Sequence, residues 1–409
     1  MRYGLVVPRY GVEIFGGAEL AARMLAEHAV ADLGWSVEVF TTCARDHMTW
    51  ADEYPAGDDT INGVVVHRFP STVGRLPEFF SFSERLLSHP RAATTGEAER
   101  FVDLQGPTCP ALIVAVAESS CDLLAFYPYL YATTVRALPG VAGRSVMHPA
   151  AHDEAALHLP VFRPTFTSVQ GFAFHTDSER KLVERTFAVG HLPQVVLGLG
   201  CDPPDGEPDA GRGPGHRRPP TVAVLGDRPY LLAMGRVDGL KGTTMLAGFF
   251  AAYKRRRPGP LALVMAGPVT AMPAEHPDIV VTGAVDEADK WALIRGATAL
   301  VQPSPHESFS IVLMEAWSQG LPALVNARCA VTRQHCQESG GGLWFEGYAP
   351  FEVAVDRLIV DAGLRHRLGS RGRRFVDANF RWPVVIDRYR RFAAEVVDRI
   401  ENQVPGCRR

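Results

Sequence analysis

The chain has 409 residues, 46% apolar and 21% charged, with a formal net charge of −3. That length predicts two domains, each able to bury a substantial core. The near-neutral balance gives no general reason to expect nucleic acid or an anionic membrane as the main partner. No stretch reaches the roughly 18 apolar residues of a membrane-spanning helix, and the short apolar run after Met1-Arg2 breaks at Pro8 and Arg9, so no secretory signal is expected. Seven cysteines, an odd number with no C-x-x-C pair, fit a reducing compartment better than a disulfide framework. A cytoplasmic protein is expected. Lys254-Arg255-Arg256-Arg257 and the arginine-rich segment 365–374 leave peripheral contact at the inner membrane face open.

In chain order, residues 3–7 read as a buried strand and lead into a turn holding Gly11, Gly16 and Gly17. From Ala18 the spacing of Leu20, Ala21, Met24, Leu25 and Ala29 predicts a helix. Residues 37–41 and 63–69 read as further strands. Helical material follows over 71–110, where Phe79, Phe80 and Phe82 form core or a lip against an acceptor. Strands are expected at 123–127, 144–147, 169–175 and 195–199, with a helix from Asp177 to about Phe187. Residues 201–220, rich in proline and glycine, predict a linker.

Alternation restarts with strands at 230–234, 261–266, 279–282, 299–302 and 323–326, and a glycine-rich turn at 340–342 leads into a short strand at Leu343 and Trp344. Helices are expected at 243–253, at 286–295 and from Pro350 onward, then a last amphipathic helix after Phe380. The fold class is therefore α/β, with two Rossmann-like parallel-sheet domains. They are expected over 1–200, completed by 380–409, and over 221–379. Two such sheets would leave a cleft at their carboxyl edges, where small ligands bind.

The densest chemistry is in 303–322, P-S-P-H-E-S-F-S-I-V-L-M-E-A-W-S-Q-G-L-P. Phe309, Val312, Leu313, Ala316 and Trp317 recur at helical spacing, so a buried strand is expected to feed an amphipathic helix through a short turn. Glu307 and Glu315 would lie about 12 Å apart along a helix axis, too far to share a proton but suited to gripping two parts of one elongated ligand. Free N–H groups at the helix start would receive an anion. Arg236 and Lys241, flanked by Gly235, Gly239 and Gly242 after a strand, supply a fork and a mobile point charge for a diphosphate. His152 and Asp153 follow another strand, with His148 a rival for the same acceptor-side role. No zinc-site spacing, Walker loop, G-x-S-x-G elbow or Asp-x-Asp triplet is present, so no metal or resident cofactor is expected.

Gly16-Gly17, Gly235-Arg236 with Lys241-Gly242, and Glu307 through Glu315 together resemble the family four retaining glycosyltransferases of GT-B fold. The most specific part is P-S-x-x-E-S-F-S-I-V-x-x-E-A, carried by Pro303 through Ala316. The resemblance implies transfer of a hexose-type sugar, without a metal, from a nucleotide diphosphate donor, most simply UDP- or GDP-linked. The acceptor would be a hydroxyl on a glycan, a glycolipid or a sugar-bearing metabolite. By the same resemblance Arg236 and Lys241 contact the diphosphate. Glu307 meets sugar hydroxyls, Ser308, Phe309 and Ser310 offer backbone groups, and Glu315 holds the ribose. Gly17 approaches the diphosphate, and His152 is the active-site histidine. The family's paired glycine after Pro322 is missing here, where Asn326-Ala327-Arg328-Cys329-Ala330 stands, which bears on donor selectivity. A related GT-B phosphorylase or epimerase, or a noncatalytic nucleotide-sugar-binding protein, is the alternative.

Overall fold

The structure, a computed structural model, describes residues 1–14, 16–203 and 220–403. It divides into two compact units, Met1–Gly200 with Trp382–Arg409, and Cys201–Arg381. Most of the segment expected as a linker, residues 204–219, lies outside the described residues.

The first unit runs β1 (Arg2–Val6), α1 (Gly17–Leu33), β2 (Ser36–Thr42), β3 (Gly57–Ile61), β4 (Val64–Phe69), α2 (Phe79–Leu87), α3 (Thr95–Gln105), α4 (Pro110–Glu118), β5 (Leu123–Phe126), α5 (Ala132–Ala137), β6 (Ser145–Met147), α6 (Phe162–Thr167), β7 (Gly171–Phe174), α7 (Asp177–Phe187) and β8 (Gln194–Val196). The strands form one sheet in the order β3-β4-β2-β1-β5-β6-β7-β8. All pairings are parallel except β3 with β4. Central strands read as unbroken apolar runs because both faces are covered; every residue of β5, Leu-Leu-Ala-Phe, is buried. The strand not expected from the sequence is β3, Gly-Asp-Asp-Thr-Ile, an exposed edge with no apolar pattern. It is held by a tight turn through Asn62 and Gly63, both at positive φ (49° and 82°).

The second unit runs β9 (Tyr230–Met234), α8 (Thr243–Arg256), β10 (Ala262–Ala266), β11 (Ile279–Gly283), α9 (Glu287–Gly296), β12 (Ala299–Gln302), α10 (Ile311–Ser318), β13 (Ala323–Asn326), α11 (Ala330–Ser339), β14 (Gly342–Phe345), α12 (Tyr348–Val360) and α13 (Ala362–Asn379). Its sheet, β11-β10-β9-β12-β13-β14, is wholly parallel. Strand order reverses between β9 and β12, so the loops after these two strands diverge on either side of a topological switch point, where open α/β sheets bind ligands.

α10 differs from the amphipathic helix expected. It begins only at Ile311, after Ser310 in the left-handed conformation (φ 69°), and Leu313–Ser318 are all buried. The cover on its far side is α13. A Cβ on Gly372 would fall on the Trp317 ring, and one on Gly369 would fall on the carbonyl oxygen of Gly320. The Trp317 indole N–H donates to Gly341 O at 2.9 Å. Glu307 therefore precedes the helix instead of sharing its axis with Glu315, and the 12 Å axial separation expected from the sequence does not apply.

The last helix, α14 (Trp382–Gln403), belongs to the first unit. Tyr389 shares a 2.6 Å hydroxyl hydrogen bond with Tyr3 of β1. Arg388 donates to Val196 O and Leu197 O at 3.2 and 3.1 Å. Trp382 stacks on His28 of α1 with ring centroids 3.9 Å apart, and a Cβ on Gly200 would run into the Trp382 indole.

Candidate functional site

On the second unit the loops after β9 and β12 bring the expected residues together. Gly235 has φ 127° and Gly242 φ 75°, conformations that favour glycine. A Cβ on Gly242 would collide with Pro303 O, so the two loops touch through backbone. That oxygen also accepts from Asn326 Nδ2 at 2.9 Å. Lys241 Nζ donates to Glu307 Oε1 at 2.8 Å, with Glu307 mostly buried and Lys241 about a third exposed. Arg236 Nε donates to Asp238 Oδ2, and Asp238 Oδ1 accepts from Lys241 N at 2.7 Å. Thr270 Oγ1 reaches Asp238 Oδ2 at 3.3 Å. Asp238, which sequence reasoning missed although it lies two residues from Arg236, is thus the hub of the loop. Burial opposes its charge, yet the Lys241 N–H and the Arg236 guanidinium hold its carboxyl below the usual aspartate value.

Glu315 is buried within α10, and its Oε1 accepts from Lys290 Nζ at 2.8 Å. Burial pushes its carboxyl up, with Lys290 working against that. Lys290, also missed, is pulled down by burial but held above the usual lysine value by Glu315 and Glu287. Ser310 Oγ accepts from Gln302 Nε2 at 3.0 Å. Phe309 is buried edge-on against His335 and Phe380, at 5.5 and 5.1 Å between centroids. The Ser308 backbone lies in the turn before α10. Arg236, Lys241 and Glu307 thus gather at one edge, with Glu315 on the adjoining helix.

On the first unit Gly16 caps α1. A Cβ there would strike the Glu19 carboxylate, which is paired with Arg9. Nothing lies within 4 Å of a Cβ placed on Gly17, so its backbone is open to close approach. The rival histidines separate. His148 is fully buried, stacked on Tyr127 at 4.0 Å and bonded through Nε2 to the Tyr389 hydroxyl at 3.1 Å. Burial drives its imidazole well below the ordinary value, with His175 adding to the effect. His148 thus packs in the core of the first unit, which favours His152 of the two for the acceptor side. His152 is half-buried. Asp153 does not orient it, because its carboxylate goes to Arg185 at 3.1 Å and His158 at 3.6 Å. It lines, with Arg163 and Leu157, a cavity of about 660 Å³.

What shapes the His152 loop is Glu179, unsuspected from the sequence. Its oxygens accept from Ala151 N at 2.8 Å and His175 N at 2.7 Å, and Ala150 beside it takes φ 52°. Burial pushes the Glu179 carboxyl up to about 7, against the pull of the surrounding N–H groups.

Three of the four residues of the basic run 254–257 have partners within the second unit. Lys254 is buried on Gly259 O, Leu261 O and Asp278, while Arg256 and Arg257 pair with Glu352 and Asp356. Six cysteines among the described residues are free and buried. Among the described residues no cluster of three His, Cys, Asp or Glu side chains is placed to hold a metal ion, and no helix is long and apolar enough to cross a membrane.

Residues 220–375 match the family model described as glycosyl transferases group 1. A D-inositol 3-phosphate glycosyltransferase of Salinispora arenicola is 29% identical over 178 residues, 39% of each chain. The chain spans about two fifths of the length of this relative and of its counterparts in Frankia alni and Salinispora tropica. Among solved structures, sucrose-phosphate synthase of Thermosynechococcus elongatus superposes with a TM-score of 0.69 at 16% identity, covering 97% of this chain and 99% of that one. Anabaena HepE, solved with UDP and glucose, gives 0.63 at 12% identity, covering 97% and 100%. The chain has the GT-B fold of two Rossmann-like domains, and its residues 220–375 are similar to glycosyl transferases group 1.

Proposed function

We propose that the chain is a retaining glycosyltransferase that moves a hexose-type sugar from a nucleotide diphosphate sugar to an acceptor hydroxyl. The observation that carries this reading is the Lys241–Glu307 ion pair at 2.8 Å, set at the switch point beside Arg236 and Asp238. Arg236 and Lys241 take the diphosphate, which draws Lys241 from Glu307 and turns that carboxylate to the sugar hydroxyls. The N–H groups of Ser308, Phe309 and Ser310 face the sugar and phosphates at the start of α10. Glu315, fixed through one oxygen by Lys290, offers the other to the ribose hydroxyls. Gly17 and His152 serve from the first unit, His152 near the reacting carbon.

In the reaction the bond from the anomeric carbon to the donor phosphate oxygen breaks as the acceptor oxygen bonds to that carbon on the same face. The acceptor proton passes to the departing phosphate, whose growing charge Arg236 and Lys241 stabilise. Those two cations supply on the diphosphate what a metal ion otherwise would. The likeness to HepE, solved with UDP and glucose, favours UDP over GDP.

The test is a thermal-shift series with UDP, GDP and their hexose conjugates, followed by product analysis with acceptors. A shift with a nucleoside diphosphate and acceptor-dependent release of that diphosphate from its sugar are expected. Binding with no turnover on any acceptor, or turnover requiring only inorganic phosphate or no acceptor at all, would replace this reading with a binding protein, a phosphorylase or an epimerase.

A further inference from the structure

At the carboxyl ends of β2 and β4 the first unit carries an arginine set among aromatic rings. Arg75 is half-buried. Its guanidinium sits over the rings of Phe79 at 4.7 Å, Phe80 at 5.6 Å and Trp50 at 6.0 Å. Its only protein acceptors among the described residues are Gln105 O, at 3.4 Å from Nε, and the Met48 sulfur, at 3.9 Å from a terminal nitrogen. A guanidinium has five N–H donors in a planar fork that matches an oxyanion in two-point contact, so most of that capacity is unspent. No carboxylate of a described residue lies within the 4.0 Å of an ion pair with it. The acid that acts on it electrostatically, Asp46, spends its oxygens on Met48 N, Thr49 N and Thr49 Oγ1 at 3.1 Å each.

Around this cation the surface is apolar where loops are usually polar: Met48 is 46% exposed, Leu76 36% and Phe80 53%. His47 is half-buried beside it with Nδ1 3.7 Å from Asp46 Oδ1, its imidazole held below the ordinary value by burial and by Arg9 and Arg75 against the pull of Asp46. The patch joins the His152 side of the sheet edge through Tyr131, whose ring packs edge-on against Trp50 at 5.1 Å and which feels the charges of both Arg75 and Glu154. Burying a cation this far costs free energy unless an opposite charge completes it, and an aromatic cradle fixes its direction in advance.

We infer that Arg75, assisted by His47, receives the oxyanion of an amphiphilic acceptor whose apolar part lies on Met48, Leu76 and Phe80. The inference rests on the proposed function for the word acceptor. The site itself, a guanidinium aimed at an anion beside an apolar surface, does not.

Octyl phosphate is the probe, with octanoate, neutral octyl glucoside and inorganic phosphate for comparison, each titrated calorimetrically into the full chain. Octyl phosphate is expected to bind at least tenfold more tightly than octyl glucoside or inorganic phosphate, and octanoate shows whether a planar carboxylate serves as well. Arg75→Ala should cost octyl phosphate ten- to a hundredfold in affinity and leave UDP binding unchanged. Arg75→Lys should recover only part, because it keeps the charge and loses the fork. Cosedimentation with phosphatidylglycerol vesicles separates the sources. Binding that follows Arg75 on vesicles places the oxyanion in a lipid surface; vesicle binding indifferent to Arg75, with octyl phosphate still dependent on it, places it on a single soluble molecule.

Equal affinity for octyl phosphate and octyl glucoside in the wild type overturns the inference, whatever the variants do. So does a folded Arg75→Ala chain that binds octyl phosphate as before. If octyl phosphate binds but no nucleoside diphosphate does, the glycosyltransferase reading fails and the anion site stands. If a nucleoside diphosphate binds and octyl phosphate does not, the anion site fails and the glycosyltransferase reading stands.

Discussion

The two units arrange their charge in opposite ways. At the edge of the second, both cations expected to meet a ligand already have a carboxylate: Arg236 has Asp238 and Lys241 has Glu307. At the edge of the first, Arg9 is completed by Glu19 and Arg45 O, but among the described residues the Arg75 side chain has only a carbonyl and a sulfur. An anion reaching Lys241 must therefore compete with an internal carboxylate; under the proposed function, the acid so freed is the one that meets the sugar. One reaching Arg75 displaces nothing of like charge. The two proposals therefore differ in kind: exchange of partners at Lys241, capture of an anion at Arg75.

The largest effect that can break the contrast is in the first of these. Glu307→Ala should lower transfer by about 10²- to 10³-fold, the scale of a lost transition-state contact, while nucleoside diphosphate binding holds or tightens because Lys241 is released. Lys241→Ala should lower both. Parallel titrations and turnover measurements decide, and equal loss of diphosphate affinity in the two variants would show that Glu307 does not compete with the phosphates. Next is the clamp on α10. Gly369→Ala puts a methyl group on Gly320 O and should cost about 3 kcal/mol of stability through overpacking, seen as an early unfolding transition; a wild-type melting curve would mean that α13 moves aside freely.

Acid should weaken the fold in a predictable window. His148, His175 and His335 are each depressed by burial, the last two to about 4, so below the ordinary histidine value near 6.5 the unfolded chain takes up protons that the folded chain refuses. Each adds about 1.4 kcal/mol per pH unit to the loss. Glu179, raised to about 7, acts in the reverse sense, binding its proton in the folded state first and gaining stability as pH falls from 7 toward 4.5. With His47 also depressed and Glu315 also raised, four histidines against two glutamates leave a net decline between pH 6.5 and 4.5; denaturation midpoints that rise over that interval would refute the assignment. The smallest effect is Arg236→Lys, which keeps the charge but loses the fork and should cost roughly tenfold in kcat/KM, a loss that rules out a solvated, idle side chain.

The alternating fold could be read from the chain because parallel strands covered on both faces leave dense apolar runs: 230–234, 299–302 and 323–326 coincide with β9, β12 and β13. Where a strand is exposed that signal vanishes. β3 carries two aspartates and shows itself only through the Asn62-Gly63 turn beside it. α11 was likewise hidden, its ten residues mostly polar. Motif residues were identifiable by type and spacing, yet their partners were not. Lys241 and Glu307 are 66 positions apart, and only the strand order that sets β9 beside β12 makes them neighbours. Glu179 sits three residues into a helix behind Thr176, where a carboxylate ordinarily caps and faces water; its burial comes from the loop after β6, which no local pattern encodes. The two histidines were indistinguishable in sequence because the discriminating contact, Tyr389, arrives 241 residues after His148.

That late arrival has a bearing on how the protein is made. Tyr3, His148 and the carbonyls of Val196 and Leu197 all wait for side chains of α14, which leave the ribosome after the whole second unit. The first half to be synthesised is thus the last to be finished, holding an apolar seam open while its neighbour matures. A chain stopped at residue 381 should keep a folded second unit and deliver a first unit that chaperones retain.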